Sequence, residues 1–299
     1  CLDSTATGII EGLKVEPIAA SVSGLQQANY TLRLGRTEVE LNGHLGKPFR
    51  LTLLDQRICQ YCKVTISIDQ RGTHNSYCET CARTLARCDF CMLSPERCHF
   101  AQGTCREPKW GEQVCMQPHT VYLAHTSGPK VGITRAGGEL QRWLNQGAVA
   151  ALPLAQTQSR YLAGLLEARV RALVSDRTQW RRLVQGPARP VDLKALAASL
   201  RDRVALPGTA AEVTWIDPAS GGEPLQIAYP ISQYAPAQQL RLSSDSSQLI
   251  QPLLGIKGQY LLMRDGVFNV AAHRGMLVEW AWVHAGQVAQ VSVAQPDLF

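Results

Sequence analysis

Residues 120–143, TVYLAHTSGPKVGITRAGGELQRW, set the fold of this chain. Two apolar runs, at 121–124 and 131–134, lie on either side of a Ser-Gly-Pro turn, which predicts a tight β-hairpin. The segment GELQRWLNQG follows at once and predicts a short helix ending at Gly147, because glycine readily takes the left-handed conformation of a helix cap. A hairpin that leads straight into a helix indicates an αβ unit.

Helical patterns continue beyond this unit. QTQSRYLAGLLEARVRALV carries apolar side chains along one face at helical spacing. Ser175 then predicts the cap of a helix in DRTQWRRLVQG, and VDLKALAASLRDRV predicts another after the GPARP break. We therefore expect residues 118–205 to form one αβ core.

Both flanks of the core have the composition of strands. Before it come YTLRL, TEVEL, FRLTLL and VTISI, split by Gly and Asn turns, and after it come EVTWI, LQIAYPI, GQYLLMRDGVFNV and MLVEWAWV. The predicted fold class is α+β. The predicted domains are a β-rich segment at 1–58, a cysteine-rich module at 59–117, the core at 118–205 and a β-rich domain at 206–299.

The cysteines predict structural zinc. Of ten in the chain, nine fall between Cys59 and Cys115. CQYC (Cys59, Cys62) and CETC (Cys78, Cys81) are separated by fifteen residues, and two such turns supply four thiolates to one tetrahedral ion. The strands expected on either side of CQYC are typical of a zinc ribbon. A redox-active dithiol is the main alternative, but it would need a thioredoxin-like βαβ context that the sequence lacks.

A second cysteine group follows and exceeds the needs of one tetrahedral site. We expect a second zinc held by Cys91, Cys98, Cys105 and Cys115, with Cys88 and His99 as alternates. The other interpretation is that some of these are buried free thiols. Sites fully ligated by protein favour a scaffolding role over activation of a zinc-bound water.

Composition limits the class of partner. The chain has 299 residues, 45% of them hydrophobic and 18% charged, and no apolar run approaches the ~20 residues of a membrane-spanning helix. No signal-peptide pattern is seen, and we expect a cytoplasmic protein without a membrane partner. The net charge of +6 mildly favours a polyanionic partner.

The core resembles GIY-YIG nucleases. TVY at 120–122 and KVG at 130–132 stand where that family has its two three-letter motifs, and Arg142 and Glu167 follow in the next two helices. The resemblance implies Tyr122, Arg142 and Glu167 as catalytic residues, with Mg²⁺ or Mn²⁺ at Glu167. From the residues themselves we also expect phosphate contacts from Lys130 and Arg135, with Gly132 allowing a backbone or ligand to approach closely. Lys130 departs from the family, which usually has tyrosine there, and this argues for binding more than for hydrolysis.

A closer resemblance covers most of the chain. The runs CHFAQGTCREPKWGEQVC, VYLA, KVGITR, RWLNQGA and DRTQW look like an uncharacterised bacterial family of unknown function. This resemblance implies the same architecture, with a cysteine-rich zinc module before a GIY-YIG-like core.

Each candidate residue also has a structural interpretation. The Tyr122 ring can pack on one face of its strand, Arg142 can be a solvated helix residue, and Glu167 can form an i,i+4 pair with Arg171. The core is nevertheless rich in basic side chains with aromatic residues among them, a pattern typical of single-stranded nucleic-acid binding. The basic residues are Lys130, Arg135, Arg142, Arg160, Arg169, Arg171, Arg177, Arg181 and Arg182, and the aromatic residues are Trp143, Tyr161 and Trp180.

Three functions follow from these features. The chain is a metal-dependent nuclease with structural zinc, a nucleic-acid-binding or regulatory protein that has lost catalysis, or a scaffold whose zinc module docks a protein partner. The basic, aromatic-rich core favours the first two.

Overall fold

The computed structural model of the chain describes residues 5–19, 24–70, 74–218 and 220–284. In these ranges fourteen strands join in one mixed sheet, which is accompanied by helices and short 3₁₀ turns. The prediction of combined α and β structure around a cysteine-rich segment is confirmed, with strands more abundant than helices. None of the helices in the described ranges is long and apolar enough to cross a membrane.

Four strands precede the cysteines. They are β1 (Thr5–Ala19), β2 (Leu25–Leu34), β3 (Thr37–Glu40) and β4 (Pro48–Arg57). The strand predicted at 64–68 does not form, because only Thr65 makes a bridge, to Ile58. The buried Arg57 guanidinium instead donates to the carbonyl oxygens of Ile68 and Gln70, each at 3.2 Å, and holds this segment as a loop.

The cysteine-rich segment contains little regular structure. Two short helices, α1 (Glu79–Thr84) and α2 (Pro108–Val114), are separated by four 3₁₀ turns between 86 and 102. A small set of buried side chains, Cys59, Cys81, Leu85 and Cys88, forms its own apolar cluster. With so small a core, this segment fits a module that a bound metal stabilises.

The central αβ unit begins with the predicted hairpin. Its elements are β5 (His119–His125), β6 (Pro129–Arg135), α3 (Glu139–Gln146), β7 (Ala150–Thr157), α4 (Arg160–Arg171), α5 (Trp180–Gln185) and α6 (Leu193–Arg203). β5 lies between β6 and β7, antiparallel to both, and all of its side chains are buried. This central position explains why alternate residues of β5 contact different helices.

The two faces of β5 belong to two cores. Tyr122 and Ala124 pack with Trp143 and Leu144 of α3. Val121 and Leu123 face the other way, toward side chains of α4 and α6 such as Leu166 and Leu200. The hairpin is therefore covered on both sides, with helix α3 on one and helices α4 and α6 on the other.

The last strands return to the first ones. They are β8 (Val213–Trp215), β9 (Leu225–Ala228), β10 (Gln239–Leu240), β11 (Gln248–Lys257), β12 (Tyr260–Met263), β13 (Gly266–Asn269) and β14 (Met276–Trp282). β14 pairs antiparallel with β1, placing Thr5 opposite Ala281, and β4 lies between β14 and β11. Strands from both flanks thus share one sheet. The division into four domains stays a prediction.

Candidate functional site

Tyr122 lies at the centre of the hairpin and crosses the adjacent strand. Its backbone is opposite Gly132, and a β-carbon at 132 would lie 2.5 Å from the Tyr122 hydroxyl oxygen. Gly132 is therefore needed for the tyrosine ring itself, rather than leaving open space for a ligand. The hydroxyl donates to Gln146 Oε1 at 2.9 Å. Burial raises the pKa of Tyr122, while the Arg142 guanidinium and Gln146 act in the opposite direction.

Lys130 is a buried cation on the edge strand β6. Its side chain is only 6% exposed, and it forms no ion pair within 4.0 Å in the described part of the chain. Burial, and then the charge of Arg142, lower its pKa from 10.5 to about 8, while the carboxylates of Glu167 and Asp176 raise it. A lysine held in this way keeps its donors available for an anion.

Helix α3 supplies Arg142 in an exposed position. Gly138 precedes the helix, and Gly147 ends it in a left-handed conformation with φ 71°, as predicted. The neighbouring residue Trp143 points inward and packs edge-on against Tyr122, with ring centroids 6.0 Å apart. Arg142 is thus free to reach solvent beside a rigid aromatic pair, and Trp143 is not available for base stacking.

Glu167 reaches the same region from α4. It does not pair with Arg171, whose guanidinium contacts Glu96 at 3.6 Å and Asp176 at 3.2 Å. Glu167 itself makes no ion pair within 4.0 Å to any residue that the structure describes. Burial, and then the nearby Asp176 carboxylate, raise the pKa of Glu167. Two neighbouring carboxylates, one of them without a close cation, suit a divalent ion.

Four of the predicted residues are coupled through their charges. The charges of Arg142 and Glu167 both act on Tyr122 and on Lys130, so side chains from β5, β6, α3 and α4 form one electrostatic group. Arg135 does not join them. It lies five residues beyond Lys130 on β6, roughly 17 Å along an extended strand, and is exposed.

The first cysteine group fits a tetrahedral metal. The sulfurs of Cys59, Cys62, Cys78 and Cys81 all lie within 4.8 Å of one another, and Cys62 Sγ is 3.6 Å from Cys78 Sγ. Zinc with Zn–S bonds of ~2.3 Å places its sulfur ligands ~3.8 Å apart. Burial would raise the pKa of Cys59, but backbone N–H donors at Cys78, Cys62 and Tyr61 lower it to about 6.

The local backbone explains this arrangement. Cys59 N donates to Val64 O at 2.8 Å and Lys63 N to Cys59 O at 3.1 Å, which closes the CQYC turn. Lys63 takes a left-handed conformation with φ 65° to complete it. Cys78 precedes α1 and accepts from Cys81 N, so the second pair is set by the start of a helix.

The second cysteine group surrounds one enclosed cavity of about 10 Å³, roughly the room of a single water or ion. Cys91, Cys98, Cys105 and Cys115 line it, together with Asp89 and His99. Asp89, Cys91 and His99 also lie within 4.8 Å of one another. Cys88 instead packs beside Cys59 and Cys81. The four ligands of this second site stay a prediction. All nine cysteines in the described ranges are free thiols, and Cys1 lies outside those ranges.

The second cysteine group is joined directly to α4. Arg160 donates to Met92 O at 2.7 Å through its side chain and to Cys115 O at 2.8 Å through its backbone. A β-carbon at Gly164 would lie 2.5 Å from Pro95, so the loop rests on the helix backbone. Glu96 then pairs with Arg171 one turn beyond Glu167. The cysteine-rich loop therefore lies along the helix that carries Glu167.

Sequence reasoning missed two side chains of this region and assigned a third to the wrong role. Gln146 anchors the tyrosine hydroxyl, Asp176 adds a second carboxylate, and Arg160 acts as a connector instead of a surface cation. Gln146 could have been found, because it lies four residues after Arg142 on the same helix face. Asp176 lies in an irregular segment after α4, for which no periodic pattern exists.

Comparison with known proteins gives one match. The profile of a family described as "Protein of unknown function (DUF2797)" matches residues 46–278. No curated protein and no solved structure matches the chain.

Proposed function

We propose that this chain, which belongs to the family described as a protein of unknown function (DUF2797), binds nucleic acid through a GIY-YIG-like core and hydrolyses phosphodiesters there with a divalent metal ion. One observation carries the proposal. Tyr122, Lys130, Arg142 and Glu167 come from β5, β6, α3 and α4 and form a single electrostatic group. Packing alone does not require two cations and a carboxylate near a buried phenol, whereas metal-dependent phosphodiester hydrolysis uses cations for the phosphate and a carboxylate for the metal.

In this proposal each side chain has a role that follows from its charge. Lys130 and Arg142 supply positive charge for the phosphate, Lys130 from a buried position and Arg142 from the surface. The Tyr122 hydroxyl belongs to the same group, with its proton donated to Gln146 Oε1. Water is excluded on the side where Trp143 covers the tyrosine ring.

The carboxylates fit a hard divalent cation such as Mg²⁺ or Mn²⁺. Glu167 lacks a close ion-pair partner among the described residues, and Asp176 lies near enough to raise its pKa. A divalent ion bound there would neutralise charge on the phosphate and lower the pKa of a bound water. Glu167 and Asp176 are the residues that would hold it.

We also propose structural zinc in the cysteine-rich segment. The first site would use Cys59, Cys62, Cys78 and Cys81, and the second would use Cys91, Cys98, Cys105 and Cys115. The loop between Cys91 and Cys98 rests on Gly164 of α4. The second zinc would therefore hold the helix that carries Glu167.

A second candidate function is binding without cleavage. Tyr122 is fully buried and its hydroxyl is already bonded to Gln146, so it has no direct contact with solvent. In addition, Lys130 occupies the position where the family has its second tyrosine. Both features weaken proton relay and leave phosphate binding intact, so we expect cleavage to be slow.

The deciding experiment compares binding and cleavage in Glu167→Gln. We expect this variant to lose metal-dependent cleavage of labelled single-stranded DNA and RNA by roughly a hundredfold, with zinc content and thermal stability unchanged. Glu11→Gln, a substitution in an exposed ion pair on β1, is the matched control. Arg142→Ala should lose both binding and cleavage.

The possible results separate the two functions. Wild type that binds oligonucleotides but cleaves none with Mg²⁺ or Mn²⁺ establishes the binding-only function. Equal cleavage by wild type and Glu167→Gln refutes the metal site on α4. Unchanged binding by Arg142→Ala refutes the phosphate site.

A further inference from the structure

Exposed aromatic and aliphatic side chains gather on the cysteine-rich segment. Phe90 is 54% exposed and Leu93 58%, whereas Trp143 of the core is buried. Both residues line one shallow groove of about 480 Å³ between α1 and the turn at 90–93. Arg83 and Arg106 line the same groove, which we name the Phe90 groove.

Basic and acidic side chains around the Phe90 groove differ in their exposure to solvent. All five basic side chains between residues 83 and 109 are exposed, and none of the three acidic side chains there is exposed. Each of the three acidic side chains pairs with another group of the protein. Asp89 pairs with Arg106 at 2.7 Å, Glu107 accepts from Ala86 N at 2.6 Å, and Glu96 pairs with Arg171 at 3.6 Å. Arg106 is neutralised by Asp89, and Arg83 pairs with the exposed Glu79 at 3.6 Å, so the positive charge presented to a partner comes mainly from Arg87, Arg97 and Lys109.

Two of these basic side chains, Arg87 and Arg97, lie on aromatic rings. The Arg97 guanidinium is 5.1 Å from the centre of the Phe90 ring. On the same segment Arg87 lies between two rings, 5.6 Å from Tyr61 and 5.9 Å from Trp110. Exposed rings paired with guanidinium groups offer stacking surfaces for bases and charge for the phosphates between them.

We infer that the Phe90 groove binds unpaired bases of single-stranded nucleic acid, with Phe90 as the stacking surface and Arg83 and Arg97 as phosphate contacts. This inference rests on the proposed nucleic-acid function and names its substrate class, because a duplex keeps its base faces covered. An acidic protein would match the charge, but it gains nothing specific from an exposed phenyl ring beside stacked guanidinium groups.

The test uses the full-length, zinc-loaded protein and two labelled 12-mers in fluorescence anisotropy. One is oligo-dT and the other is an abasic strand with the same phosphates and no bases. Phe90→Ala should weaken oligo-dT binding roughly 5- to 100-fold and change abasic binding less than twofold. Phe90→Trp should keep the affinity. Ile18→Ala, at a side chain of similar exposure on β1, is the control.

The results separate this inference from the core proposal. If Phe90→Ala weakens the binding of both probes equally, or of neither, the inference that the Phe90 groove binds bases is wrong. If poly-glutamate binds as tightly as oligo-dT and also depends on Phe90, the groove is a protein-docking surface and the inference is wrong. If Phe90→Ala acts on oligo-dT alone while Arg142→Ala has no effect, the groove stands and the core phosphate site fails. Zinc content and thermal melting, measured for each variant, establish that it is folded.

Discussion

Replacing Lys130 with methionine should make the protein more stable and weaken its binding of nucleic acid. Lys130 is buried without an ion-pair partner among the described residues, and its pKa falls from 10.5 to about 8. Since one pKa unit corresponds to ~1.4 kcal/mol, the charged side chain costs the folded state about 3 kcal/mol. Methionine has a similar length and no charge, so Lys130→Met should gain about 2–3 kcal/mol at pH 7.

The stability that Lys130→Met gains over wild type should decrease as the pH rises. The unfolded chain keeps the ordinary lysine pKa, so between about pH 8 and 10.5 it binds more protons than the folded chain, and wild-type stability rises with pH. The free-energy cost of burying the charged Lys130 side chain is complete below about pH 8 and disappears above about pH 10.5. Urea denaturation should therefore show the advantage of Lys130→Met falling below about 1 kcal/mol at pH 10.

Lys257 provides a matched control. It is also buried, its Nζ has no hydrogen-bond partner in the described ranges, and burial lowers its pKa to about 8. It lies 5.9 Å from the ring centres of Tyr229 and Tyr234, outside the electrostatic group of Tyr122. Lys257→Met should be stabilising in the same way and leave oligonucleotide affinity unchanged. If Lys130→Met is no more stable than wild type at pH 7, the Lys130 ammonium has compensating partners in solution. The conclusion that its burial costs folding free energy is then wrong.

Three further predictions concern metal, packing and the buried arginine. Elemental analysis of protein purified without chelator should give one to two zinc ions per chain, and Cys81→Ser should lose about one; disulfides in place of zinc would contradict this. Gly132→Ala should destabilise the fold by about 1–3 kcal/mol in urea denaturation, because the methyl group meets Tyr122, whereas Gly128→Ala has no neighbour within 4 Å and should be nearly neutral. Arg57→Met should cost about 3 kcal/mol or more in the same assay, because its guanidinium bonds four carbonyl oxygens, and a loss below 1 kcal/mol would show that these bonds are dispensable.

The parts predicted correctly from sequence are those set by local chemistry. The hairpin follows from its turn, α3 from its closing glycine, and the CQYC and CETC turns from their spacing. The prediction that failed beside them was the helix cap at Ser175. That helix begins at Trp180, while the Ser175 carbonyl accepts from Val131 N of the edge strand. A partner more than forty residues away overrode the local signal.

Most of the outer strands were predicted, but long-range pairing hid β1, β10 and β11. β1 contains Gly8, Gly12 and Pro17, which interrupt any alternating pattern, and β11 contains Pro252 and Gly255. These residues are tolerated because of their particular neighbours. Gly8 lies against the Leu34 carbonyl, and Gly255 lies against Ile231. The candidate site shows the same limit, since Asp176 acquires its role only through packing of its irregular segment near Glu167.

The pairing of Thr5 with Ala281 sets the order in which the chain can be assembled. At ~5–20 residues per second, ribosomal synthesis needs roughly 15–60 s to pass from β1 to its partner β14. During that time β1 and β4 each leave an edge open that β14 will later fill, as a template for pairing with other nascent chains. The cysteine turns and the hairpin can close early, because their contacts are local, and the outer sheet must close last. Newly made chains should therefore depend on chaperones that hold exposed strands.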